Sequence, residues 1–147
     1  MYGLLLLLHV LGATIWTGGH IVLSVVILPR ALREKSPAQL LQFESVYEKI
    51  GLPALVAQII TGIALAHQML GSTDQWFDFT NPVYHVVAVK LFLLSLTVAL
   101  AIDARLRVIP HLTEHNMKSL AWHILPVTAI SILFVAAGVS FRTGWLY

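Results

Sequence analysis

The 147-residue chain is 58% hydrophobic and only 11% charged, with a mean hydropathy of +0.82. A soluble domain carries about 25% charged residues, so this composition excludes an ordinary soluble fold and points to a chain that lives in lipid. Cysteine is absent, which excludes disulfides, iron–sulfur ligation and thiolate metal sites, and the net charge of +2 says little about partners because the charges follow membrane topology.

The first apolar run, Tyr2–Leu28, is long enough to span a bilayer, lacks a basic leader and reads as an uncleaved helix over 2–29 closed by Pro29-Arg30. Ser36, Pro37 and Gln39 resemble a capping box with proline at N1. They open "SPAQLLQFESVYEKIG", which reads as a short amphipathic helix at the membrane surface. The second span covers 52–70, with Pro53 in its first turn. The loop "GSTDQWFDFTN" mixes Asp74 and Asp78 with Trp76, Phe77 and Phe79, as an interfacial segment does. Asn81-Pro82 reads as an N-cap and N1 proline for the third span, 83–103, and the fourth covers 120–141, with Trp145 and Tyr147 as anchors beyond it. These elements predict an all-α fold, one integral membrane four-helix bundle with an amphipathic helix between helices 1 and 2.

The charges orient the bundle. Arg30, Arg33, Lys35 and Lys49 lie between helices 1 and 2, and Arg105, Arg107 and Lys118 between helices 3 and 4. The opposite side carries only Arg142, so both termini are expected to face outward.

Depth follows from a rise of about 1.5 Å per residue. With midpoints near Trp16, Ile60, Leu93 and Ile130, His9 and His67 lie about 10 Å, and His85 about 12 Å, outward of the midplane. His20 lies about 6 Å inward, on the same helix face as His9, and His123 about 10 Å inward. Trp16 lies near that face, Gln58 is placed to meet His20 across helices, and Lys90 is the one basic residue deep in a span. Three imidazoles at one level suit copper or zinc, with copper favoured by affinity order, and Met69 offers a thioether nearby. Asp74 and Asp78 could help deliver the ion. The structural counter-reading makes His67 and His85 interfacial residues facing headgroups. It leaves His9, well inside a span, in need of a polar partner. For His20 the counter-reading is a bond to Gln58 or a carbonyl, and for Lys90 a bond to Tyr84, a threonine or a carbonyl. The functional reading of Lys90 is a cation for an anionic ligand, a quinone oxygen or a haem propionate. Asp103 and Arg107 read as an i,i+4 ion pair. No phosphate-binding glycine loop, nucleophile elbow, zinc-protease motif or nucleic-acid-binding stripe is present.

"LLLHVLGATIWTGGHIVLSVVILPR", with His9, Trp16, Gly18-Gly19 and Pro29-Arg30, resembles the first helix of small bacterial membrane proteins of the copper-resistance D (CopD-like) superfamily. "VYHVVAVKLFLLSLTVALAIDARLRVIPHL" resembles that family's lysine-bearing helix, and both fragments also resemble HemJ-type protoporphyrinogen oxidases at His9 and Lys90. The resemblance implies a bacterial inner (plasma) membrane protein that handles copper or haem and porphyrin. His20, His67 and His85 are additions to the HemJ pattern, and they favour a metal held directly by protein. The leading expectation is therefore copper on His9, His67 and His85, cycling single electrons between external oxygen or superoxide and a membrane quinone, with Lys90 steering an anion. Haem b, with His9 as axial ligand, is the alternative. A transport or assembly subunit passing an ion from His9 to His20 by way of Gln58 is the third reading.

Overall fold

The computed structural model describes residues 1–72, 80 and 82–145, and among these there is no strand. Five α-helices follow one another: α1 (Tyr2–Val22), α2 (Leu28–Glu34), α3 (Pro37–Leu70), α4 (Pro82–Asp103) and α5 (Met117–Thr143). Through short irregular turns they merge into four rods, Tyr2–Glu34, Pro37–Leu70, Val83–His111 and Met117–Thr143, each long and apolar enough to cross a membrane. This is the make-up of a multi-pass membrane protein and an all-α four-helix bundle. The loop residues Asp74, Trp76, Phe77, Asp78, Phe79 and Asn81, and the terminal Tyr147, lie outside the described residues.

Two proline positions explain where the rods depart from the sequence expectation. Pro29 does not close helix 1. The chain passes through a π-helical turn at Leu23–Ile27 and continues as α2 to Glu34. Proline has no N–H, and its ring crowds the carbonyl four residues back. A π turn just ahead of it opens the hydrogen-bond ladder enough to pass the ring without ending the helix. The same device recurs at Pro110, where α4 runs into a π turn at Ala104–Val108 and then a 3₁₀ turn at Ile109–His111.

The amphipathic segment is likewise not a separate helix. It is the first half of α3, which is 34 residues long and carries Pro53 in its interior. Nor does the capping box form. Ser36 is the N-cap residue but makes no side-chain cap, and the Gln39 amide bonds to Glu34 instead. At the far end α5 stops at Gly144, whose φ of 69° is the left-handed conformation glycine adopts without strain. Its N–H closes the helix on the Ser140 carbonyl at 2.8 Å.

Helix α1 is the centre of the bundle, packed against α3 on one side and α5 on the other, and α4 lies on α5. At the end that carries the loop arginines, hereafter the basic end, Leu23, Leu28, Leu40, Met117, Leu120 and Ile124 form the main core. At the opposite end Leu70 and Val87 pack with Ala66, Leu91 and Phe141, which brings α4 against the end of α3. In lipid the apolar contacts between helices gain little over contacts with acyl chains, so close approach and polar bonds matter most. Gly12 supplies the close approach. A Cβ there would lie 2.8 Å from Gln58 Cγ and 2.9 Å from the Ala54 carbonyl oxygen. The basic end is tied by Arg105 to Glu48 at 2.6 Å, and by Asp103, which takes both Arg107 at 3.0 Å and His123 at 2.8 Å. The Asp103–Arg107 pair is the one read from the sequence.

Candidate cofactor site

The level of the bundle farther from the basic end, the outer level of the sequence reading, is built around His9. Its ring enters the α1–α3 seam opposite Gly62, where a Cβ would stand 3.0 Å from His9 Cε1. Nδ1 lies 3.1 Å from the Gln58 carbonyl oxygen and 3.0 Å from Thr61 Oγ1. The Thr61 hydroxyl donates to the Ala57 carbonyl at 2.6 Å, so it presents a lone pair to the ring. Both neighbours of Nδ1 are acceptors, and Nδ1 must carry the hydrogen. In the neutral imidazole this leaves the Nε2 lone pair bare. Metal-binding histidines are oriented by such a bond from the far nitrogen to a carbonyl.

Lys90 of α4 is within electrostatic reach of His9. Its Nζ lies 5.6 Å from the centre of the Phe141 ring, a cation–π contact. A Cβ on Gly138 would be 3.8 Å from it. Among the described residues no carboxylate is paired with Lys90. Among the described residues, an imidazole with a bare nitrogen and a lysine with no paired carboxylate therefore share the half of the bundle away from the basic end.

The other two members of the expected trio stand apart from this pair. His67 and His85 are both exposed, as is Met69. Among the described residues no three His, Cys, Asp or Glu side chains gather as a metal-binding group. His67 lies in the last turn of α3 and His85 in the first turn of α4, at the end of the bundle opposite the basic end.

The inner level is an aromatic cluster. His20 Nδ1 bonds to the Trp16 carbonyl at 2.9 Å, and the two rings lie 4.4 Å apart. The Tyr47 hydroxyl donates to the Trp16 carbonyl at 3.0 Å and approaches His20 Nδ1 at 3.5 Å. Thr128 of α5 donates to the His20 carbonyl at 3.1 Å. The meeting of Gln58 with His20 expected from the sequence does not occur. The Gln58 backbone serves His9, and its side chain packs on Gly12. Pitch accounts for this: Gln58 lies level with the first half of α1, while the residue opposite His20 is Tyr47, about three turns earlier on α3.

No family model, curated protein or solved structure matches the chain.

Proposed function

We propose that the chain is a membrane redox protein that holds a haem or porphyrin at the outer level, with His9 Nε2 as ligand and Lys90 as the cation for a propionate. One observation carries this reading: His9 is held by Nδ1 with Nε2 bare, and Lys90 stands within electrostatic reach of it. Haem needs one imidazole and gains from one cation, and both are already brought near each other. Bound there, haem supplies one-electron chemistry, and a membrane quinone and a small external acceptor such as oxygen or superoxide are its partners. The chain's own residues orient the imidazole through Gln58 and Thr61, and keep water from it with the apolar helix surfaces. The charge bias supports a bacterial inner-membrane reading with the basic end cytoplasmic and both termini outside.

The three-imidazole copper site remains a second reading, since the tautomer of His9 serves copper equally well. It asks more of the fold, because His67 and His85 must both turn inward to join His9. The test is a visible spectrum with elemental analysis of the detergent-purified protein. Iron with a Soret band supports the haem reading. About one copper per chain with no Soret band would replace it with the copper reading. Binding of neither, when both are offered to folded protein, would end both.

A further inference from the structure

The polar groups of α4 and α5 contain one that no helix bond explains. Serine and threonine hydroxyls inside apolar helices normally donate to a carbonyl three or four residues back. Thr61, Thr128, Ser131 and Ser95 all do so here. Thr97 is only 1% exposed, and its Oγ1 has no hydrogen-bond partner among the described residues. A buried hydroxyl left so is rare, and the ordinary explanation is a bound water.

The register of α4 against α5 shows what stands beside it. Near one end Lys90 approaches Gly138. Near the other, Asp103 bonds to His123 at 2.8 Å. Counting inward along the antiparallel pair from either contact puts Thr97 level with residues 129–131. Ser131, 1% exposed, is at that level. Along the axis of α4, Thr97 also lies between Asp103 and Lys90. It is six residues from Asp103 and seven from Lys90, about 9 Å and 10.5 Å along the axis. Each gap corresponds to about three or four hydrogen-bond steps of about 2.8 Å.

We infer that the α4–α5 interface carries protons between the basic end and Lys90, entering at the Asp103–His123 pair and relayed by the Thr97 hydroxyl through bound water. The inference rests on this register and on the orphaned hydroxyl, whatever group His9 holds. It adds to the redox reading a route for the protons that accompany electron transfer. A proton taken up at the Asp103–His123 pair passes to water. The Thr97 oxygen accepts a proton from that water as its own hydrogen leaves on the far side. Lys90 is the far terminus: a proton that its ammonium gives up is replaced along this route, so the cation is restored, and no electron moves in these steps. His9 is the other titratable group within reach of Lys90.

The experiment is hydrogen exchange at the Lys90 side chain, followed by NMR of the full chain labelled with ¹⁵N at lysine Nζ, in lipid nanodiscs without added cofactor. The Lys90 signal is assigned by its loss in Lys90→Met. Thr97→Val keeps the shape and removes the relay, and should slow exchange about tenfold or more. Thr97→Ser, which keeps a hydroxyl, should hold the parent rate within a factor of about three. Asp103→Asn should slow exchange as Thr97→Val does, and serves if the valine variant does not fold. Exchange at the parent rate in folded Thr97→Val, or equal slowing in Thr97→Ser and Thr97→Val, would overturn the inference.

Discussion

Two neighbouring glycines should respond oppositely to the same substitution. A Cβ on Gly18 meets nothing within 4 Å, so Gly18→Ala adds a methyl to open space. A Cβ on Gly19 falls inside the Tyr47 ring and 2.6 Å from its hydroxyl oxygen. Its other edge is seated on Gly51, where a Cβ would lie 2.8 Å from the ring, so the ring is held between α1 and the glycine of α3. Both substitutions gain the helix preference of alanine, up to about 1 kcal/mol, so that term cancels between them. What remains is overpacking, about 1–3 kcal/mol, and loss of the bond from the Tyr47 hydroxyl to the Trp16 carbonyl, about 1 kcal/mol. Gly19→Ala should therefore be less stable than Gly18→Ala by about 2–4 kcal/mol. Reversible unfolding in mixed detergent micelles, followed by tryptophan fluorescence, measures the difference. Equal stability of the two variants would mean that Tyr47 does not sit between α1 and α3 as described.

Three further outcomes follow from the same contacts. Tyr47→Phe keeps the ring and loses the hydroxyl, and should cost about 1 kcal/mol in the same unfolding assay. Gly12→Leu should force α1 from α3 where Gly12 meets Gln58 and Ala54, detach His9 Nδ1 from Gln58 and Thr61, and reduce haem uptake in a titration more than His67→Ala does. Arg105→Ala removes a pair with Glu48 in which the arginine side chain is 53% exposed, and should cost less than about 1 kcal/mol, with the loss shrinking at high salt.

The fold class was legible because apolar run length and proline position are local properties of the chain. Helix ends were less so. Pro29 reads as the end of helix 1 and Pro53 as lying in the first turn of helix 2, yet a π turn carries the chain past the first and α3 passes through the second unbroken. Packing on a neighbouring helix offsets a missing hydrogen bond, and a single segment does not reveal that neighbour. At the site, His9 and Lys90 stood out as polar groups deep in apolar runs. Thr61 did not, since a threonine one turn from a glutamine has no distinguishing local pattern. Tyr47 was hidden by its place in an amphipathic segment, although Gly19 and Gly51 mark the room its ring occupies. His67 and His85 were placed at the depth of His9 by counting, but they are exposed where His9 is half-buried. Depth comes from counting residues, whereas direction comes from helix rotation, which only packing sets.

The most direct test of the account is a haem titration of the purified protein in detergent, run in parallel on the parent chain, His9→Ala and His67→Ala. The account predicts saturable uptake with a sharp Soret band in the parent and in His67→Ala, and loss of that band in His9→Ala. An unchanged spectrum in folded His9→Ala would contradict it, since the bare Nε2 of His9 would then not be the ligand.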